Sequence, residues 1–173
     1  LEVDELSALR GTVAREELET RLREFREKFA VDPDCDAADL AEAARTSVAL
    51  DRLVERHALG SLAYYYKGTG VAENEATMAS IILGTSLLTG RGVPVAGEYE
   101  VKNAQAMKIM DLFGVGGSFT EYYAMDFKDD VVLMGHDGPG HIAIAQGKIK
   151  VRSLGVYHGK VGRGVSVEMA VRH

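Results

Sequence analysis

The chain has 173 residues, a length typical of one domain or of one domain with part of a second. Its composition, with 46% hydrophobic and 27% charged residues, excludes intrinsic disorder and allows a packed core. The net charge of −6 argues against a nucleic-acid partner, because phosphates attract basic proteins. No stretch approaches the roughly 20 apolar residues of a membrane-spanning helix, so we expect no membrane partner.

The first third of the chain is predicted to be helical. Residues 1–59 contain 15 acids, 9 bases and a single glycine, and the other 18 glycines follow them. One helix face is formed by apolar residues spaced i, i+4, i+7 and i+11: Leu18, Leu22, Phe25 and Phe29. Pro33 ends this helix because proline lacks the N–H, and a second helix is predicted from Asp36 or Ala37 to about His57.

Residues 60–114 alternate between strand and helix patterns. Strands are predicted over 62–66 and 93–96, and helices over 75–88 and from 100 to about 113. The second of these helices is expected to bury Ala104, Met107, Ile109 and Met110. Because this order is typical of a parallel sheet covered by helices, residues 1–114 are predicted to form a central α/β domain.

The remainder, 115–173, is predicted to be a partial antiparallel β domain. Five short apolar segments are separated by polar or glycine-bearing turns: 118–124, 130–134, 142–145, 149–157 and 165–171. The predicted fold class is therefore α/β: a parallel α/β central domain followed by the first strands of an antiparallel barrel or sandwich.

Three polar residues lie where predicted strands meet other segments. Glu98 follows the strand 93–96, Glu121 lies between aromatic residues, and His136 follows an apolar strand. Carboxylate and imidazole ligands suit Mn²⁺, Mg²⁺ or a similar divalent ion better than a soft metal. Each residue also has an ordinary interpretation: Glu98 as a helix N-terminal acid, Glu121 as an exposed strand residue, His136 as a turn histidine. The spacing fits no regular metal-ligand signature.

The remaining candidates are a cysteine and a tyrosine run. Cys35, the only cysteine, lies in an acidic loop, so neither a nucleophile nor an internal disulfide is expected, and a reducing cytoplasm is predicted. The first ten residues do not read as a signal peptide, which agrees with a cytoplasmic location. The run 64–66 is three tyrosines typical of a packed strand, and Tyr66 is the one that we expect at a pocket.

The order of these segments resembles the L-arabinose isomerase and L-fucose isomerase superfamily, in its arabinose-isomerase-like branch. Glu98 in Glu98-Tyr99-Glu100-Val101-Lys102 is similar to the first acid of the family's E-G-D-W-K segment, with Tyr99 and Val101 replacing Gly and Trp. Glu121 in the sequence GGSFTEY matches the acid of G-G-T-S-F-M-E-D-Y, and His136 in LMGH matches the histidine of L-G-A-H.

The resemblance implies a metal-dependent isomerase that interconverts aldoses and ketoses by moving a proton between C1 and C2 of an open-chain sugar. Glu98, Glu121 and His136 would be metal ligands, and the two acids would also be the catalytic proton-transfer pair. The implied cofactor is Mn²⁺, or another divalent cation such as Mg²⁺ or Co²⁺. Apart from the resemblance, Tyr66 and His158 are candidates for contacting the sugar; His158 is expected to line the pocket or to pack, and neither His141 nor His158 is expected to be a metal ligand.

The resemblance also places the chain within a longer protein. The match corresponds to the family's central domain and the start of its C-terminal β domain, without the N-terminal domain and a later metal-binding histidine. It implies a cytoplasmic homo-oligomer, a trimer or hexamer, with active sites between subunits, and an isolated fragment that is inactive. The alternative is a catalytically inactive sugar- or metal-binding module, or an oligomer scaffold.

Overall fold

The computed structural model describes residues 1–67, 69–157, 160–161 and 163–171. The helices are α1 (Val3–Gly11), α2 (Arg15–Lys28), α3 (Ala37–His57), α4 (Ala72–Ala79), α5 (Ile82–Gly90) and α6 (Val101–Leu112). The strands are β1 (Ala30–Val31), β2 (Leu62–Ala63), β3 (Val95–Ala96), β4 (Glu121–Asp126), β5 (Val131–Gly135), β6 (Lys150–Ser153), β7 (Val156–Tyr157), β8 (Lys160–Val161) and β9 (Val165–Glu168). The general α/β class predicted from the sequence is confirmed.

The N-terminal helices follow the sequence pattern closely. Helix α3 begins and ends where predicted, and its N-cap residue, Asp36, accepts a hydrogen bond from the Ala38 amide at 2.7 Å. Phe25 and Phe29 are fully buried and meet edge to face, although α2 already ends at Lys28. Helix α1 is additional to the two helices that the pattern indicated.

The predicted helix over 75–88 is wrong in its extent, because the structure divides this segment into α4 and α5. At the junction, the Ser80 hydroxyl donates back to the Ala76 carbonyl at 2.7 Å. Thr85 and Ser86 bond in the same way within α5, and all three side chains are buried. Hydroxyls that bond to the preceding turn weaken and bend helices. No proline or glycine at the junction indicated this break in the sequence.

Two of the sheets in the described residues join strands that are distant in the sequence. Strands β2 and β3 pair in parallel, as the strand–helix alternation predicted. A second sheet has the order β1-β6-β9, in which β1 and β6 are parallel and β6 and β9 antiparallel. This second sheet joins strands from both sides of residue 114, so the two predicted domains share a sheet.

A barrel or sandwich is not formed by the described part of the chain. β4–β5 and β7–β8 are separate two-stranded hairpins beside the sheet that contains β6 and β9. The predicted strand over 142–145 is wrong, because the Ile144 amide bonds back to the His141 carbonyl in a turn. Only Ala145 pairs, through a single bridge to Val171.

Helix α6 is less buried than predicted. Ala104 and Met107 are buried, as expected, in a cluster with Phe119, but Ile109 and Met110 are 54% and 44% exposed. The expectation that these last two side chains are buried is wrong, because only one narrow face of α6 meets the rest of the molecule. In the described ranges, no helix is long and apolar enough to cross a bilayer.

Candidate functional site

The β4–β5 hairpin brings Glu121 and His136 together. Glu121 is the first residue of β4 and pairs in register with Gly135, the last residue of β5. His136 follows directly, so the two side chains meet at the base of the hairpin. The distance from His136 Nδ1 to Glu121 Oε2 is 3.6 Å, slightly longer than a hydrogen bond.

Glu98 reaches the same place from the end of the parallel β2–β3 pair. The Tyr99 amide donates to the Tyr64 carbonyl at 3.0 Å, and the Glu100 amide donates to the Gly97 carbonyl at 3.0 Å. Within this turn Glu98 and Tyr99 have φ angles of 60° and 59°. Left-handed backbone is uncommon for residues with a Cβ, and such strained positions cluster at functional sites.

These segments enclose a small cavity of about 50 Å³. Its lining residues are Tyr64, Tyr66, Gly97, Glu98, Glu121, His136 and Asp137. Four of the residues singled out in the sequence therefore line one cavity: Glu98, Glu121, His136 and Tyr66. His158, the remaining sequence-based candidate, lies outside the described residues.

Sequence reasoning missed three residues of this cavity. Asp137 is adjacent to His136, which was the only available signal for it. Tyr64 belongs to the tyrosine run, but that pattern indicated packing for it. Gly97 lies against His136, since a Cβ there would be 3.3 Å from Nε2, tighter than most contacts.

His136 is the most constrained group of the site. Its side chain is 9% exposed, and the Phe119 ring meets it edge to face with a centroid distance of 4.4 Å. A Cβ at Gly138 would overlap the imidazole, so glycine at 138 makes room for the ring. Both ring nitrogens are buried and have no hydrogen-bond partner among the described residues. Buried polar atoms normally have partners, so these two are the site's outstanding feature.

Electrostatics keep this imidazole neutral near pH 7. Burial lowers the pKa of His136, and this effect exceeds the opposing influence of the Glu121 and Asp137 carboxylates. The same carboxylates, together with Glu98, help burial to raise the pKa of Tyr123. A neutral imidazole with a free lone pair is the form of histidine that binds metal ions.

The side chains around the cavity fit a hard or borderline divalent cation in their chemistry. Glu98, Glu121 and Asp137 offer oxygens, and His136 offers a ring nitrogen that forms no hydrogen bond to any described residue. In the ranges that the structure describes, however, no three acidic, histidine or cysteine side chains stand close enough together to hold an ion. The arrangement supplies suitable ligands in a looser geometry than a coordination shell.

His141 does not line this cavity. Its side chain is buried, its Nδ1 accepts from the Ala143 amide at 3.2 Å, and its Nε2 lies 3.3 Å from Asp111 Oδ1. His136 and His141 are thus at opposite ends of one glycine-rich segment and have different surroundings.

Comparisons with known proteins do not add to this picture. No protein-family model matches the chain, and no curated protein matches it either.

Proposed function

We propose that the chain is part of a metal-dependent aldose–ketose isomerase in which Glu98, Glu121 and His136 bind the metal ion. One observation carries the proposal. Three residues singled out in separate sequence segments line one cavity, where His136 is buried and neither ring nitrogen has a hydrogen-bond partner in the described part of the chain. The resemblance to the L-arabinose and L-fucose isomerase superfamily supports the same three residues.

The bound ion, Mn²⁺ or another divalent cation such as Mg²⁺ or Co²⁺, would act as a Lewis acid toward the two oxygens of the sugar. The protein's part is to hold and to move protons. One carboxylate takes the proton from C2 of the open-chain aldose and returns it to C1, while the other serves the hydroxyl oxygens. A proton moves from O2 to O1 in the same conversion through a cis-enediol, so no oxidant or reductant is consumed.

Glu98 and Glu121 are the two carboxylates of this scheme. Glu121 faces a neutral imidazole, whereas Glu98 is held in a left-handed turn beside the tyrosines. The two carboxyl groups therefore have different surroundings. Tyr66, on the cavity wall with Glu98, is proposed to contact the sugar.

The wider assembly is part of the same proposal. We infer a cytoplasmic homo-oligomer, a trimer or hexamer, in which 115–173 begins an antiparallel barrel or sandwich. The exposed apolar side chains of the β4–β5 hairpin support an interface; they include Phe127, which is 90% exposed, and Leu133. The hairpin begins at Glu121 and leads into His136, so this apolar surface extends from the site to the hairpin tip at Phe127.

Mn²⁺ titration of the metal-free chain, followed by electron paramagnetic resonance of the free ion, tests the proposal. Wild type should bind one Mn²⁺, and Glu98→Gln, Glu121→Gln and His136→Ala should each weaken binding at least tenfold. Glu100→Gln is the matched control, because this neighbouring acid does not line the cavity and should leave binding unchanged. A Mn²⁺ affinity equal to that of wild type in all four variants would contradict the metal site.

Activity is tested in the full-length gene product with a panel of pentoses, hexoses and 6-deoxyhexoses. Turnover should require Mn²⁺ and stop with EDTA, and both glutamate variants should lose nearly all of it. The isolated 173-residue chain should be inactive. Metal-independent turnover would contradict the mechanism.

A second candidate is a catalytically inactive sugar- or metal-binding module or an oligomer scaffold. The exposed apolar hairpin favours it, since such a surface serves association without any chemistry. Metal binding and self-association by a full-length protein that converts none of these sugars would support this candidate.

A further inference from the structure

The segment 136–141, with the sequence His-Asp-Gly-Pro-Gly-His, carries His136 at one end and His141 at the other. Glycine loses more conformational freedom on folding than other residues, so a segment containing Gly138 and Gly140 needs firm attachment to keep His136 in place. One attachment is the hydrogen bond from the Gly140 amide to Ser86 Oγ on α5, at 3.1 Å.

The second attachment is the pair formed by Asp111 and His141. Nδ1 of His141 accepts from the Ala143 amide, so the neutral ring carries its proton on Nε2 and donates it to Asp111 Oδ1 at 3.3 Å. The two side chains are only 14% and 5% exposed. Gly116 packs on this ring, since a Cβ there would lie 3.1 Å from Nε2.

Asp111 adds an unusual cost to this contact. Its other carboxylate oxygen, Oδ2, is buried and has no hydrogen-bond partner among the residues that the structure describes. An unsatisfied buried oxygen destabilises a fold, and the last turn of a helix is the less favourable end for a negative charge. An apolar contact between α6 and the 136–141 segment would carry neither penalty. The presence of a carboxylate there therefore points to a requirement for a directed hydrogen bond to His141.

Helix α6 connects this pair to the candidate site. The helix starts three residues after Glu98 and ends one residue after Asp111. In its middle, Met107 packs against Phe119, whose ring meets His136 edge to face. Helix α6 is therefore one rigid element that links the segment carrying Glu98, the Phe119–His136 contact and His141.

We propose that Asp111 and His141 are positioning residues: their hydrogen bond fastens the 136–141 segment to α6 and thereby fixes the His136 imidazole against Glu121 and Glu98. This inference rests on the proposed function, because His136 is the group that the pair positions. Neither Asp111 nor His141 touches the cavity, so both act through His136.

The test is histidine-ring NMR on the metal-free chain, in which the Phe119 ring gives His136 its own ring-current shift. Asp111→Ala should move the resonances of both His141 and His136 and raise amide exchange across 138–145 at least tenfold. Asp111→Asn keeps an oxygen that accepts from Nε2–H and should leave His136 in place. Asp111→Ser serves the same comparison if the alanine variant does not fold.

A matched control is available at the other histidine–carboxylate pair. His57 Nε2 lies 2.8 Å from Glu5 Oε1, and neither residue lines the cavity. Glu5→Gln should move the His57 resonances and leave those of His136 unchanged. If Asp111→Ala is folded and moves His141 alone, the pair is only a local contact and the inference is overturned.

Mn²⁺ titration of the same variants separates this inference from the proposed function. If the wild-type chain binds Mn²⁺, Asp111→Ala should weaken that binding about tenfold and Asp111→Asn should weaken it little. A tenfold loss is the scale known for groups that orient metal ligands. A wild-type chain that binds no Mn²⁺ overturns the proposed metal site, and the NMR comparison then decides the positioning role alone.

Discussion

His136 Nδ1 lies 3.6 Å from Glu121 Oε2, across the open end of the β4–β5 hairpin. The register shifts between Tyr122 and Ala124, so Tyr123 is an extra residue opposite the end of β5. Bulges of this kind redirect side chains beside functional sites. The Tyr123 ring also occupies the space that a Cβ at Gly135 would need. The hairpin is thus built to end with an acid and an imidazole side by side.

The burial of His136 makes the stability of the fold depend on pH. Because burial holds the pKa of His136 below its usual 6.5, the unfolded chain binds the proton more readily than the folded one. The contribution of neutral His136 to the free energy of unfolding is complete above about pH 6.5, the pKa of histidine in the unfolded chain. It is lost as the pH falls through the lower pKa of His136 in the folded state. Urea unfolding between pH 7.5 and 5 should show a steeper loss for wild type than for His136→Gln, and equal slopes would contradict the assignment.

The effect of the Glu121 carboxylate should be measurable in the pKa of His136. It raises the pKa of His136 against the effect of burial, so Glu121→Gln should lower that pKa further. An NMR titration of the ring protons provides the measurement. Glu100→Gln, which changes an acid outside the cavity, should leave the His136 titration curve where it is in wild type.

Gly138 should tolerate no side chain. A Cβ at this position would overlap the buried His136 imidazole, so Gly138→Ala should displace the ring and destabilise the fold by about 1–3 kcal/mol. Gly11→Ala is the control, since no atom lies within 4 Å of its Cβ position. Thermal unfolding and the His136 resonances report the two effects, and a Gly138→Ala protein with wild-type resonances would contradict the close contact between position 138 and the imidazole.

Tyr99 occupies a backbone position suited to glycine. Its φ is 59°, and its ring stacks on Tyr65 with a centroid distance of 5.1 Å. Tyr99→Ala loses the stacking and keeps the strain, whereas Tyr99→Gly loses both. Left-handed backbone costs roughly 1 kcal/mol in residues other than glycine, so the glycine variant should be about that much more stable than the alanine variant. Chemical denaturation of the two proteins checks the difference.

The β4–β5 hairpin should mediate self-association. Leu133 is exposed on β5 at 60%, and Leu133→Lys should lower the oligomeric state without changing the melting temperature. Val71→Lys, at an exposed apolar residue before α4, is the control and should leave association unchanged. Sedimentation velocity compares them; an oligomer that survives Leu133→Lys would exclude the hairpin from the interface.

Sequence determined the elements whose causes are local. Helix α3 follows from an N-cap at Asp36 and an apolar stripe, both within one stretch of chain, and its bounds agree with the prediction. The three candidate ligands were also found from the sequence, because strand ends and the resemblance single out individual residues. The separation of α4 from α5 was missed, since a serine that bonds back to its own helix resembles any other serine in a sequence.

Only the tertiary structure decided how these residues combine. Sequence patterns report which side chains avoid water, but they contain no distance between segments that are far apart in the chain. Ile109 and Met110 therefore remain exposed despite their apolar character, and β1 joins β6 across 118 residues of chain between Val31 and Lys150. The ring nitrogens of His136, which have no hydrogen-bond partner within the described ranges, arise in the same way, because burial and hydrogen-bond geometry exist only once Phe119, Gly97 and Gly138 enclose the ring.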